Sequence, residues 1–391
     1  MAASQPVPQE VAARLYHGEK LESLEGFPVL TKFFPGDGDT SKPLVAYIPG
    51  LAHNARISYG GHEGSYREDF LAHWFQHYGF GFLGISYPLE TELEVMPPIG
   101  GEFSLRDWGR QAAKAIKNVV DEHSLPLNVV ILSWSMSGKV MEPVTTAAKA
   151  LGLTVILYVA LAATPALWGL GSTSPNLEVI CSKAGYWTTP SLYHISAPQL
   201  SEQNRINNGR IIVDPAIYKR EYVGATPAAA GGFGFRFNAQ EQKLVEDKWQ
   251  ILENGKADNY VELPVMAAIY PTSPLDLRHS ITDKATWGFL MTYKFHADIQ
   301  QVMGKSMPKP SGADNFDLDR YTTLLQDLRL LIHGIPDRMI TGIEGNHFFF
   351  LGEKGARQTA EAVIQFLQES KSIRDEFDRI IGNAQKYNVV A

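Results

Sequence analysis

The sequence predicts an α/β fold built on a doubly wound, mainly parallel sheet, and three observations carry that prediction. Short apolar runs alternate with amphipathic stretches of helical spacing through the first half of the chain, the rhythm of strand–helix–strand units. One apolar run, residues 129–132, leads into a tight serine-containing turn and then a helix, not a hairpin. The chain has 391 residues and is 45% hydrophobic, enough to cover both faces of a sheet.

The elements follow in order. Leu44–Ile48 is a short apolar strand that stops at Pro49-Gly50. Residues 68–77 have helical apolar spacing at Phe70, Leu71, Trp74 and Phe75. Residues 80–85 form the next strand. Ser104 is an N-cap for a helix over residues 105–123, with Asp107 at the third helical position. Residues 128–132 form the strand that reaches the serine turn, residues 139–151 a helix, and Thr154–Leu161 another strand. The rhythm then stops. From Pro165 to Asn259 the chain is rich in Gly, Ala, aromatics and turn residues. Its glycine cluster at 231–237 follows no strand and opens no helix, so it reads as a flexible loop and not as a nucleotide-binding loop. Residues 261–270 resume the strand pattern, 305–317 read as a mobile loop between two helical stretches, 338–343 as a last strand and 357–381 as a long amphipathic helix. No internal repeat is present.

Composition narrows the function. The net charge is −7 with no basic stripe, which argues against nucleic acid and anionic membrane surfaces as partners. Cys181 is the only cysteine, so no internal disulfide forms, and no Asn-x-Ser/Thr site occurs. The first residues lack the basic region and apolar core of a signal peptide, and residues 388–391 match no sorting signal. These features point to a reducing, cytoplasmic location. The longest apolar stretch, 154–170, is interrupted by Pro165 and Gly169 and has no basic flank, so it reads as a buried strand and loop and not as a membrane span.

The chemistry centres on Ser135. A strand, a tight turn holding a serine, and a helix make a nucleophile elbow. Strand and helix nearly touch beside the nucleophile, so the flanking residues must be small; here they are Ser133 and Ser137, with Gly138 next. Residues 172–174 nearly repeat the small-residue pattern but lack the strand and helix. A serine nucleophile needs a base. Of the eleven histidines, His347 is best placed, in the glycine-relieved loop 342–348 between the last strand and the last helix.

At these residues the chain resembles the α/β-hydrolase superfamily. Leu132-Ser-Trp-Ser-Met-Ser-Gly138 is similar to that family's Gly-x-Ser-x-Gly elbow with both glycines replaced, residues 335–348 to its final strand and histidine loop, and Tyr47-Ile-Pro-Gly-Leu-Ala52 to its oxyanion turn. The likeness covers about 44–163 and 261–367, not the middle. It implies a triad of Ser135, an acid and His347 in that chain order, with an oxyanion hole formed by the backbone N–H groups of Met136 and Leu51. The family's usual His-Gly is Pro49-Gly50 here.

The acid position departs from the family pattern. After the penultimate strand, Pro271-Thr-Ser-Pro274 puts Ser273 where the Asp belongs. Asp276, three residues later, is the leading candidate, reaching the histidine if the loop is longer. Asp337 is the runner-up, and a working Ser–His dyad is the third option. Other candidates read as structural. His73 and His77 share a helix face at a metal-binding spacing but lack an acidic third ligand. His53 lies past the oxyanion turn, and His333 at a helix–strand junction. Trp168, Trp187, Tyr193, Tyr218 and Trp249 either pack the middle segment or line a pocket in it.

The resulting expectation is an α/β-hydrolase core, residues 1–165 and 260–391, with a cap inserted at 166–259. The chain then acts as a serine hydrolase on an ester or thioester of a bulky, apolar, polyketide- or lipid-like small molecule of secondary metabolism, with no metal or organic cofactor. The alternative is a non-hydrolytic cyclase, lyase or binding protein that keeps the pocket with an altered acid position.

Overall fold

The computed structural model describes residues 14–167, 169–170, 180–181, 186–188, 191–238, 240–306 and 318–386. Eight strands form the central sheet: β1 (Glu19–Leu24), β2 (Phe27–Phe34), β3 (Leu44–Ile48), β4 (Phe82–Ser86), β5 (Asn128–Trp134), β6 (Thr154–Leu161), β7 (Met266–Pro271) and β8 (Ile340–Ile343). Their order is β1-β2-β4-β3-β5-β6-β7-β8. The β1–β2 hairpin pairs antiparallel to β4, and every pair from β4 through β8 is parallel. Every residue of β3 and β4 is buried, as a parallel sheet covered on both faces requires.

The longer helices of the described residues are α1 (Leu71–His77), α2 (Leu105–Glu122), α3 (Met141–Ala150), α4 (Ser191–Ile206), α5 (Lys248–Gly255), α6 (Leu277–Ser306), α7 (Leu318–Met339) and α8 (Glu353–Lys386). α2 packs on α3, and α8 packs on α1 and α7. Ser104 and Asp107 close a full capping box at the start of α2, each side chain bonding the other's backbone N–H. No helix of the described residues is long and apolar enough to cross a membrane.

Several boundaries differ from the sequence reading. The hairpin β1–β2 carries no apolar run in its first strand and was not expected; Glu25 and Gly26 turn it, both with positive φ. The helix expected over 68–77 starts at Leu71, after a 3-10 turn at Arg67–Asp69. The strand expected from residue 338 starts at Ile340, because α7 runs through Pro336 to Met339. The glycine-rich stretch at 231–237 is not a plain loop: Phe235–Asn238 pairs with Lys243–Glu246 as a hairpin. The expected loop at 305–317 begins as the last turn of α6, and residues 307–317 lie outside the described residues.

Between β6 and β7 the chain builds a small second sheet. Glu90–Thr91, Gly224–Pro227, Tyr186–Thr188 and Ile180–Cys181 lie side by side in it, so the loop after β4 supplies an edge strand.

Candidate functional site

After β3 the chain moves to β4 on one side, and after β5 to β6 on the other. Such a reversal opens a crevice beyond the carboxyl ends of the two strands, the usual ligand position in an open parallel sheet. Gly50 follows β3 there, and Ser135 follows β5.

Ser135 has φ +59, a left-handed conformation that costs a non-glycine residue about 1–3 kcal/mol and persists only where its surroundings enforce it. Four contacts surround it. Thr164 N–H donates to Ser135 O at 2.8 Å. A Cβ on Gly138 would lie 2.6 Å from Thr164 O, so the close approach needing glycine falls at 138. Ser137 is tolerated because its buried hydroxyl lies 2.9 Å from both Ile48 O and Trp134 O. A Cβ on Gly50 would lie 2.6 Å from Ser135 Cβ and 3.2 Å from its Oγ, so the turn after β3 lies directly against the serine.

Next to Gly50, Leu51 N–H has no hydrogen-bond partner among the described residues. Met136 is the second residue of the 3-10 turn Ser135–Val140, ahead of the turn's first internal bond, so its N–H too has no partner among the described residues. The following residue, Ala52, donates instead to Tyr87 Oη at 2.9 Å and Thr226 Oγ1 at 3.0 Å, which fixes the turn.

His347 lies on the loop between β8 and α8. Asn346, fully buried, pins that loop by donating to Gln199 O at 2.7 Å and Glu202 Oε2 at 2.8 Å. Trp134, the residue before Ser135, donates from its indole to His347 O at 2.9 Å, and the two rings lie 5.1 Å apart. His347 Nδ1 is 2.7 Å from Asp276 Oδ2. The carboxylate accepts the Nδ1 proton, which leaves Nε2 as a proton acceptor. Ser135 Oγ makes no hydrogen bond among the described residues; such bonds are commonly long in free enzymes and tighten with substrate.

The acid loop and the histidine loop are joined through the backbone, by Thr272 N–H to Ile343 O at 3.1 Å and Ser273 N–H to Gly345 O at 2.8 Å. Ser273 caps the short turn Pro274–Asp276 and donates to Glu202 Oε1 at 3.0 Å; that turn carries Asp276 inward. Burial opposes ionisation of Asp276, but His347, with His279 and Arg278, outweighs it and holds the carboxyl down at about 2. Burial lowers the pKa of His347 against the opposing pull of Asp276, so its imidazole is neutral at pH 7.

Asp337 is exposed on α7, 3.8 Å from Lys284, and is not at this site. His53 is buried, with Nε2 accepting from Tyr218 Oη at 2.6 Å and Nδ1 donating to Leu51 O at 2.8 Å; both ring nitrogens are occupied, and burial pushes its pKa down to about 4. His73 and His77 stack on each other at 6.3 Å on α1, and His333 is exposed on α7. Tyr218 is fully buried and Trp249 is 72% exposed. Trp168 and residues 172–174 lie outside the described residues, as does the side chain of Trp187.

Sequence reasoning missed Arg278, His279 and Asp283. His279 and Asp283 stand four apart at the start of α6, a spacing that places them on one helix face. Asp276, His279 and His347 offer donor atoms within 4.8 Å of one another, a possible cation cradle by distance. Arg278 donates to His279 Nε2 in the same cluster, and its charge opposes a cation there.

Neither a family model nor a curated protein matches the sequence. Solved structures do resemble it. A thermophilic esterase from Thermogutta terrifontis matches with a TM-score of 0.46 at 10% identity, over 90% of this chain and 98% of its own. A monoglyceride lipase from Saccharomyces cerevisiae matches with a TM-score of 0.46 at 11% identity, over 94% and 99%. A thioesterase domain from the curacin biosynthetic pathway matches with a TM-score of 0.36 at 10% identity, over 88% and 98%. The strand order of the central sheet and the left-handed serine turn between β5 and α3 give this chain the α/β-hydrolase fold.

Proposed function

We propose that the chain is a serine hydrolase that cleaves an ester or thioester of a bulky apolar small molecule, polyketide- or lipid-like, beneath a cap formed by residues 166–259. The observation that carries this reading is the 2.7 Å bond between His347 Nδ1 and Asp276 Oδ2, on two loops tied to each other beside the Ser135 turn. Ser135 Oγ attacks the acyl carbonyl while His347 Nε2 takes its proton. Asp276 holds the imidazole in the needed tautomer and offsets the imidazolium charge. The N–H groups of Leu51 and Met136 receive the developing oxyanion. The protonated His347 then returns its proton to the leaving alcohol or thiol, and water releases the acyl group by the same steps in reverse.

The bond from His347 Nδ1 to Asp276 supports the hydrolase reading over a non-hydrolytic one in which Ser273 replaces the acid. The test is labelling by a fluorophosphonate probe together with hydrolysis of p-nitrophenyl esters. Wild type is expected to be labelled once, and Ser135→Ala to lose both labelling and about 10³-fold or more in turnover. Labelling that survives in Ser135→Ala would refute the assignment. His347→Ala is expected to lose as much, and the double variant little more.

A further inference from the structure

Two buried histidine–carboxylate pairs lie side by side at the start of α6. One is Asp276–His347. The other, His279–Asp283, has no part in the proposed reaction. His279 Nδ1 is 2.9 and 3.0 Å from the two Asp283 oxygens, the residues are 2% and 4% exposed, and the His279 and His347 rings are 5.1 Å apart. Burying a second ionisable pair is costly unless its bonds are used. Its one remaining nitrogen, His279 Nε2, accepts from Arg278 Nη2. The same Nη2 donates to Thr164 Oγ1 at 2.8 Å, and Thr164 N–H in turn holds Ser135 O.

Arg278 is therefore clamped one residue from the main chain of the proposed nucleophile, and its side chain is fixed by groups that are themselves buried. It remains exposed, and no carboxylate of the described residues pairs with it. Its Nε and Nη1 make no hydrogen bond among the described residues, so donors are left for a ligand. A second basic group lies within its field. Lys139, 1% exposed, donates to Gly232 O and sits 4.7 Å over the Phe233 ring, with no carboxylate partner among the described residues. Burial and then the charge of Arg278 push Lys139 down to about 7, while burial pushes Asp283 up to about 8. Asp276 alone faces Arg278 as a carboxylate held well ionised, and it is committed to His347.

We infer that Arg278 determines specificity by binding a carboxylate on the substrate, so the preferred ester is anionic on its acyl or its alcohol side. The inference rests on the hydrolase reading for its catalytic consequence, though not for binding. A guanidinium fixed in advance loses little freedom on pairing with a carboxylate, which favours this role over that of a surface charge.

The experiment compares matched charged and neutral esters. Mono-p-nitrophenyl glutarate is paired with p-nitrophenyl glutaramate, and 4-carboxyphenyl butyrate with 4-carbamoylphenyl butyrate. In wild type, at least one anionic ester is expected to exceed its amide partner in kcat/KM by about 10- to 100-fold, mainly through KM. That ratio is expected to fall toward one in Arg278→Gln and to be kept in part in Arg278→Lys; the pair that responds identifies the charged end. Wild-type ratios near one in both pairs, or a ratio unchanged in a folded Arg278→Gln, would overturn the inference. If wild type cleaves none of the four and is not labelled by the fluorophosphonate probe, the hydrolase reading fails; with no cleavage, calorimetry with glutarate decides the subsite alone. Saturable binding lost in Arg278→Gln supports it, and no binding to wild type refutes it.

Discussion

His347 Nδ1 and Asp276 Oδ2 lie 2.7 Å apart although 71 residues separate them in the chain. Two backbone bonds between their loops, from Thr272 to Ile343 and from Ser273 to Gly345, bring them together, so the pair is a product of β7 and β8 lying side by side. Asp337 lies instead in the last turn of α7, before β8 begins.

The first prediction concerns the acid. Asp276→Asn is expected to lower turnover by roughly 10²–10⁴-fold, because an amide keeps the shape but neither fixes the tautomer nor offsets the imidazolium. Asp337→Asn is expected to leave turnover unchanged within a factor of two or so, since a surface charge at 3.8 Å from a lysine does little. Steady-state kinetics on any cleaved ester, with circular dichroism as a fold check, settles it.

The pH profile follows from His347. Burial disfavours its charged form more than Asp276 favours it, so its pKa lies below the ordinary 6.5. The base must be neutral to act, so kcat/KM should rise on the acid side with a midpoint below 6.5 and be flat through pH 7. Removing the anion in Asp276→Asn should move that midpoint lower still. An upward shift in the variant would show that another group sets the limb.

Gly50 is predicted to be intolerant of a side chain. In Gly50→Ala the new Cβ would meet Ser135 Cβ at 2.6 Å and the backbone oxygen of Trp134 at 3.1 Å, so the turn after β3 must move. That shift carries Leu51 N–H away from the oxyanion position. Turnover should fall about 10²-fold or more, against a loss of about 1–3 kcal/mol in stability. Denaturant unfolding beside kinetics separates the two, and a variant that keeps full turnover would remove Leu51 from the site.

Lys139 makes stability depend on alkaline pH. Its folded pKa, about 7, lies below the unfolded 10.5 because burial, and then Arg278, disfavours its charge. Below pH 7 the native state carries that charge at a cost; between pH 7 and 10.5 the unfolded state binds the extra proton, so the native state gains stability as pH rises. Wild type should therefore gain stability relative to Lys139→Met between pH 7 and pH 10. Urea unfolding at the two pH values measures it, and a constant difference would refute the burial of a titrating amine.

What the sequence determined alone was what local pattern encodes. Leu44–Ile48 is a continuous apolar run and Thr154–Leu161 nearly one, and the structure has both strands at those residues, because a strand buried on both faces is apolar along its buried length. Ser104 and Asp107 announced a helix start through a spacing of three, and the box they form involves nothing outside that turn. Ser135 was legible for the same reason: strand, small residues and helix adjoin in the chain. Tertiary structure decided the rest. β1 carries neither an apolar run nor an alternating burial pattern, so only its pairing with β2 makes it a strand. Which of Asp276 and Asp337 meets His347 depended on the path of two loops whose ends are set by the parallel register of β7 and β8. The clamp on Arg278 joins Thr164 after β6 to His279 and Asp283 on α6, a distance of 114 residues along the chain from Thr164 to Arg278. Contacts between segments so far apart leave no periodicity in either one, because each side chain is placed by the fold of the other.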